Sequence, residues 1–121
     1  MERQKPHKKL VLWSKTIDLV VNLYGVTKQF PREEEFGLKS QLKRAAVSVP
    51  SNISEGLTRR TRKDKLHFLN IAQGSLSEID AQIEISRRLE FIDEPTNILV
   101  NERLSEVEKL LSGLIRSIRE D

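Results

Sequence analysis

The sequence predicts an all-α protein that folds as an antiparallel, up-down-up-down four-helix bundle with a proline-kinked second helix. Apolar residues recur every three or four positions along four separate stretches, which is the spacing of one face of a helix. The connections between these stretches are short, so successive helices are expected to be antiparallel neighbours. The chain has only 5 Gly, 4 Pro and 5% aromatic residues, a composition that favours helices over strands.

A chain of 121 residues has the size of one domain, which we place at residues 11–121 after a flexible basic N-terminal arm at residues 1–10. Helix one is predicted from Val11 to Gln29. Its expected buried seam consists of Trp13, Ile17, Val20, Tyr24 and Thr27. Trp13 and Tyr24 are therefore interpreted as core anchors rather than as platforms for stacking nucleobases. The apolar surface is wider than this seam, through Leu19, Val21, Leu23 and Val26. We expect helix one to bury against more than its own bundle.

Helix two is predicted to begin directly after Phe30-Pro31, with Glu33 to Glu35 in its first turn, where the helix dipole favours negative charge. Its expected buried row is Leu38, Leu42, Ala45, Val49, Ile53 and Leu57. Pro50 interrupts this row and frees the Ala46 carbonyl, but the apolar phase continues through it. One kinked helix is therefore expected, with Gly56 as its C-cap.

Helix three is predicted to begin at a capping box formed by Thr61 and Asp64 and to end near Leu89. Its expected buried row is Leu66, Leu69, Ala72, Leu76, Ile79 and Ile83. A tight turn from Phe91 to Pro95 leads into helix four. The seam of helix four is the most regular, with Val100, Leu104, Val107, Leu111, Leu114 and Ile118. Gly74 and Gly113 are expected to mark close approach between helices.

The composition excludes several classes of function. The chain contains no cysteine, so it has neither a disulfide framework nor a thiol nucleophile. Charged or polar residues interrupt every apolar stretch before membrane-spanning length, and no signal-peptide core follows the basic N-terminus. A cytoplasmic protein without a membrane partner is expected. The net charge of +3 does not by itself argue for polyanion binding.

The distribution of basic residues gives the best candidate site. Five basic residues occur within seven positions at the turn between helices two and three: Arg59, Arg60, Arg62, Lys63 and Lys65. Such a cluster can pair with phosphates and release counterions. Two further basic pairs are Lys43-Arg44 and Arg87-Arg88. The second pair is expected about 35 Å from Arg62, so a monomer cannot gather all nine residues into one compact patch. The alternative is that these are solvated helix ends that keep the protein soluble.

Several other polar residues have side chains of the kinds used in catalysis and metal binding. Asn52, Glu55, Ser75 and Glu78 lie close to the apolar rows of helices two and three. Glu55 and Glu78 could form a carboxylate pair, but we favour a structural role in which these groups bond to the carbonyl freed by Pro50 or to each other. Asp64 and His67 have the spacing of a di-iron motif. The only other histidine, His7, lies outside the predicted bundle. We predict no catalytic residue, metal or cofactor.

Three segments resemble the bacterial four-helix-bundle family encoded in intervening sequences of 23S ribosomal RNA genes. They are Leu10-Val-Leu-Trp13, Gln41-Leu-Lys-Arg-Ala-Ala-Val-Ser-Val-Pro-Ser-Asn-Ile-Ser-Glu-Gly56 and Phe68-Leu-Asn-Ile-Ala-Gln-Gly-Ser-Leu-Ser-Glu78. The resemblance implies a kinked second helix and a ring-shaped homopentamer without enzymatic activity. It also implies kinship with the accessory variability protein of diversity-generating retroelements, a basic pentameric ring that binds nucleic acid and a reverse transcriptase. Glu90-Phe91 departs from the Gly-Tyr that is usual in the turn before helix four.

These observations together predict a non-enzymatic, homo-oligomeric helical scaffold that binds nucleic acid, either RNA or a ribonucleoprotein, through its basic residues. Its expected partners are copies of itself, RNA or DNA, and a nucleic-acid-processing protein. The alternative is a protein-protein adaptor that does not bind nucleic acid and whose apolar faces serve self-assembly and a partner.

Overall fold

The computed structural model describes residues 6–120, with side chains described from residue 9 onward. It contains four α-helices, which are α1 (Pro6–Val26), α2 (Leu38–Leu57), α3 (Arg62–Arg88) and α4 (Glu94–Glu120). Two single 3₁₀ turns, Thr27–Gln29 and Arg32–Glu34, lie between α1 and α2. No strand occurs in the described part of the chain, so the all-α class is confirmed. Residues 6–10 of the predicted arm are helical, and residues 1–5 lie outside the described residues.

The four helices enclose one core, because each helix packs on the next and α4 packs back on α1. Between α2 and α3, the Ser48 and Ser75 hydroxyls are 2.8 Å apart, and the guanidinium of Arg59, two residues after the end of α2, lies over the Phe68 ring. Residue numbers rise along one helix as they fall along the other, so α2 and α3 are antiparallel. No helix in the described range has the length and apolarity needed to cross a membrane.

The same reversal relates α1 to α4. The Lys15 ammonium is 3.5 Å from the Glu106 carboxylate, and Gln29 donates to the Thr96 hydroxyl at 3.1 Å. The side-by-side packing of these two helices closes the bundle. All six predicted seam residues of α4 are buried, and so are Leu69, Ala72, Leu76, Ile79 and Ile83 of α3.

The predicted seam of α1 is right only in part: Thr27 is buried and Val20 packs half-buried against the core, but the main buried row lies one position away. The residues that face the core are Leu12, Thr16, Leu19, Leu23 and Val26. Trp13 and Tyr24 are each 40% exposed, so neither is a core anchor. Two apolar rows run side by side on this helix, and the periodicity is equally good for both. The predicted row contains the aromatic residues Trp13 and Tyr24, whereas the row that is buried in the bundle is the neighbouring one, which is mainly aliphatic.

The predicted start of α2 is also wrong. Phe30 and Pro31 are extended, a 3₁₀ turn holds Glu33 and Glu34, and α2 begins only at Leu38. The Glu34 carboxylate accepts a hydrogen bond from the Leu38 backbone N–H at 3.0 Å. The three glutamates therefore precede the helix. Most of the predicted row of α2 is buried, with Leu38 and Leu57 half-buried, and the helix continues through Pro50. A bend at Pro50 stays a prediction.

Side-chain caps fix the beginnings of α3 and α4. The Thr61 hydroxyl accepts from the Asp64 backbone N–H at 3.1 Å, as the predicted capping box requires. The Asp93 carboxylate accepts from the Thr96 N–H at 2.9 Å. Glu90, in the turn between α3 and α4, has a φ of 62°, a left-handed conformation that glycine adopts without strain.

The roles predicted for three glycines are wrong. Gly56 lies within α2, and a β-carbon there would meet Leu69 at 3.1 Å and the Lys65 carbonyl oxygen at 3.2 Å. Gly56 therefore permits close contact between α2 and α3, while Thr58 caps the helix. Gly74 and Gly113 have open space at the β-carbon position, so neither marks close packing within this chain.

Candidate nucleic-acid interface

The predicted basic cluster lies at the end of the bundle where α2 passes into α3. Arg60 is in the short link after α2, and Arg62 and Lys63 occupy the first turn of α3. All three side chains are exposed, whereas Lys65 is half-buried. Asp64 is the one carboxylate between Arg59 and Lys65. Because cations at a helix N-terminus oppose the helix dipole, this arrangement favours an anionic partner.

Arg59 differs from its neighbours because it already has partners within the chain. Its guanidinium forms an ion pair with Glu55, one turn earlier, and lies 4.6 Å from the centre of the Phe68 ring. These contacts hold Arg59 across the junction of α2 and α3. A phosphate would have to compete with them, so Arg60, Arg62 and Lys63 are the more available cations.

The fold adds two arginines that the sequence analysis did not select. Gln73 of α3 donates to the Ser112 hydroxyl of α4 at 3.1 Å, which fixes the register of these helices. The exposed residues Arg116 and Arg119 follow Ser112 in α4 and lie level with the first turns of α3. Their spacing of three, on one face of a helix, was the available signal. We call the combined surface of Arg60, Arg62, Lys63, Arg116 and Arg119 the basic end.

The other predicted cations are not part of the basic end. Arg88 donates to the Glu84 carboxylate at 2.7 Å and Arg87 does so at 3.3 Å. The hydrogen bonds from Arg88 and then Arg87 lower the pKa of Glu84 below its ordinary value. This trio lies at the opposite end of the 27-residue α3, about 35 Å from Arg62, as the helical rise predicts.

Lys43 and Arg44 lie in the first half of α2, also away from the basic end. The Lys43 ammonium is 4.9 Å from the centre of the Tyr24 ring, so this cation faces α1. Arg44 is exposed. The structure therefore separates the nine predicted cations into three groups.

Asn52 of α2 and Ser75 of α3 both make hydrogen bonds with Ser48. Asn52 donates to the Ser48 carbonyl at 2.9 Å and to the Ser48 hydroxyl at 3.1 Å, and that hydroxyl contacts Ser75. Asn52 thus donates to the Ser48 carbonyl and not to the Ala46 carbonyl, which Pro50 leaves without its helical donor. These bonds join two helices at one level, and so they favour a single register.

The two glutamates of the same motif are not brought together. Glu55 is exposed and paired with Arg59, and Glu78 is exposed on α3. Since Ser48 lies opposite Ser75, Glu78 is level with the first half of α2, whereas Glu55 is near its end. The carboxylate-pair alternative is therefore wrong.

His67 has an exposed side chain whose ring contacts the edge of Phe68, with 4.9 Å between the ring centres. Among the residues whose side chains are described, no three His, Asp or Glu groups are placed to hold a metal ion. His7 lies outside the residues with described side chains.

Comparisons with known proteins agree on the fold. A protein-family model described as "23S rRNA-intervening sequence protein" matches residues 8–113 of this chain. The chain is also similar to a crystal structure of a protein of unknown function from the S23 ribosomal protein family of Bacteroides thetaiotaomicron. That similarity has a TM-score of 0.82 and 26% identity, and covers 90% of this chain and 98% of the other. Neither description names a reaction. No curated protein matches the chain.

Proposed function

The chain belongs to the 23S rRNA-intervening sequence protein family, and from this premise we propose that it is a non-enzymatic, homo-oligomeric scaffold that binds nucleic acid. The assembly is a pentamer, the state that the resemblance implies. The nucleic acid is RNA, free or within a ribonucleoprotein, and the basic end contacts its phosphates. Each copy in an oligomer contributes one basic end, so a polyanion that spans several copies binds through many cations at once.

The observation that carries this proposal is the exposure of three cations, Arg60, Arg62 and Lys63, beside the start of α3. Arg116 and Arg119 lie at the same end of the bundle, so this end carries more cations than the segment from Arg59 to Lys65 alone supplies. Contacts of this kind position a phosphate backbone without reading bases. We therefore propose binding that is sensitive to salt and has little sequence preference.

The paired arginines at the far end of α3 contribute little in this proposal. Glu84 already accepts hydrogen bonds from both Arg87 and Arg88, which offsets their charge. These two residues thus provide a control of equal charge. The variants Arg60→Ala/Arg62→Ala and Arg87→Ala/Arg88→Ala each remove two positive charges from exposed positions of the same helical protein.

A mobility-shift titration with a structured RNA, at about 50 mM and about 200 mM salt, tests the proposal. We expect Arg60→Ala/Arg62→Ala to weaken binding by at least tenfold and to lower the slope of log affinity against log salt by about 2. Arg87→Ala/Arg88→Ala should change affinity much less. Equal effects of the two pairs would place the interface elsewhere, and no binding by the wild-type protein at low salt would contradict nucleic-acid binding altogether.

A protein-protein adaptor is the second candidate, and the exposed apolar side chains support it. Leu10 and Val21 of α1 are each 66% exposed, and Ile98 of α4 is 54% exposed. Absorbance at 260 nm combined with light scattering on purified protein separates the candidates. Co-purifying nucleic acid that nuclease and high salt remove supports the scaffold, whereas a protein complex that survives both treatments supports the adaptor.

A further inference from the structure

Phe36 is the most exposed large apolar residue among the described side chains, at 95% exposure. It lies between the 3₁₀ turn Arg32–Glu34 and the start of α2, next to Gly37. A phenylalanine in this position loses the free energy of burial and contributes no packing to its own chain. The surrounding backbone is nonetheless ordered by hydrogen bonds, including those from Glu35 N–H to the Arg32 carbonyl and from Gly37 N–H to the Glu34 carbonyl.

Acidic residues precede this phenylalanine. Glu33 is exposed, the Glu35 carboxylate accepts a hydrogen bond from the Lys39 ammonium at 2.9 Å, and Glu34 is held by the N–H of Leu38. Residues Glu33 to Phe36 thus form a small projection with an apolar tip and an acidic flank. We call it the Phe36 projection.

A groove of complementary character lies between α1 and α2. It is open, has a volume of about 720 Å³, and is lined on its apolar side by Val21, Tyr24 and Val47. Val21 is 66% exposed and Val47 is 44% exposed, so the apolar side faces solvent. Three lysines, Lys28, Lys39 and Lys43, also line the groove. Lys39 is already paired with Glu35 of its own chain, so Lys28 and Lys43 supply the positive charge that a partner would meet.

We propose that the Phe36 projection of one copy docks into the α1–α2 groove of a second copy of this chain. The phenyl ring covers the valines and Tyr24, and the exposed Glu33 meets Lys28 and Lys43. Phe36 does not occupy the groove of its own chain, because it is almost fully exposed. The valines of the lining favour an apolar side chain over a nucleobase, and Lys28 and Lys43 favour an acidic segment, which the Phe36 projection supplies.

The contact joins two different surfaces, so each copy can donate its projection to one neighbour and accept the projection of another. Repetition of such a contact closes a ring when the rotation between copies allows it. This inference rests on the self-assembly part of the proposed function and names the surfaces responsible for it.

Gly25 gives a way to block the groove without disturbing the fold. It lines the groove, and a β-carbon there has no heavy atom within 4 Å. Gly25→Leu should therefore fill the groove while improving the helix propensity of α1. Gly74→Leu is the matched control, because Gly74 is also an exposed helical glycine with open space, on α3. Phe36→Ala removes the projection and takes nothing from the core.

Light scattering after size-exclusion chromatography tests the contact at equal protein concentrations. We expect Phe36→Ala and Gly25→Leu each to weaken self-association by roughly 30-fold or more, while Gly74→Leu assembles like the wild type. Circular dichroism should show unchanged helix content in all three variants. An equimolar mixture of Phe36→Ala and Gly25→Leu should form a mixed dimer, because one variant retains the groove and the other retains the projection.

The outcomes separate this inference from the proposed function. A monomeric wild-type protein would contradict self-assembly itself. A wild-type oligomer whose mass neither substitution changes would overturn the docking contact and leave the scaffold proposal standing. If Gly25→Leu weakens RNA binding without changing the mass, the groove is a nucleic-acid site and the proposed contact is wrong.

Discussion

Gly56 and Gly74 are both glycines within helices, yet their surroundings are opposite. Gly56 is buried where α2 meets α3, with Leu69 and the Lys65 carbonyl at the distance of a tight contact. Gly74 is exposed and has free space. The local sequence gives glycine the same propensity cost at both positions, and only the neighbouring helix distinguishes them.

We predict opposite effects of alanine at these two glycines. Gly56→Ala should lower the free energy of unfolding by about 1 kcal/mol, because overpacking against a fixed backbone carbonyl outweighs the gain in helix propensity. Gly74→Ala should raise it by about 0.5–1 kcal/mol, since nothing opposes that gain. Urea unfolding followed by circular dichroism measures both changes. Stabilisation by Gly56→Ala would contradict the close α2–α3 contact.

Individual helices are delimited by capping groups that differ in their response to pH. Thr61 caps α3 with a hydroxyl, whereas Asp93 caps α4 with a carboxylate. Hydrogen bonds from Thr96 lower the pKa of Asp93 below its ordinary value. The folded protein therefore binds a proton at Asp93 less readily than the unfolded chain does. The stabilising contribution is present above the ordinary aspartate pKa and is lost as the pH falls through the lower, folded value.

Replacing Asp93 by serine should remove this dependence, because a serine hydroxyl can cap a helix without titrating. We expect the wild-type protein to have the higher Tm at pH 7 and its Tm advantage over Asp93→Ser to shrink as the pH falls below the ordinary aspartate pKa of about 4. Thermal unfolding across this range measures the difference. Thr61→Ala serves as the comparison, since its Tm deficit should not depend on the charge of the cap. A Tm difference between wild type and Asp93→Ser that does not change with pH would show that the charge of the Asp93 carboxylate contributes nothing to stability.

The whole molecule presents two distinct surfaces near opposite ends of the bundle. The basic end lies at the α2–α3 turn, and the Phe36 projection lies in the α1–α2 connection. The antiparallel helices keep these surfaces apart, so an oligomer formed through the projection leaves the basic end available to nucleic acid. The exposed aromatic row of α1 lies between them, with Tyr24 in the groove.

Assembly through this surface predicts a stability that depends on protein concentration. Association stabilises only the folded chain, so the Tm of the wild-type protein should rise with concentration, whereas the Tm of Phe36→Ala should not. Scanning calorimetry over a hundredfold range of concentration provides the measurement. The same dependence in both proteins would indicate that another surface drives assembly.

The helical periodicity of the sequence determined the fold class, the four helices, and the buried rows of α2, α3 and α4. It succeeded there because each of these helices has one apolar row, so only one face can be buried. It failed for α1, where two adjacent rows compete, and for the start of α2, where Gly37 and the Glu34 cap delay the helix. Which row of α1 is buried and where α2 begins depend on which face of each helix the neighbouring helices cover.

The sequence by itself also located the basic cluster, because charge density in a short segment needs no folding to be visible. Only the tertiary structure decided that Arg59 lies over Phe68, that Arg116 and Arg119 lie at the same end, and that Phe36 is left exposed. These facts follow from how separate helices pack against one another. They depend on the register and orientation of packed helices, which local periodicity does not contain.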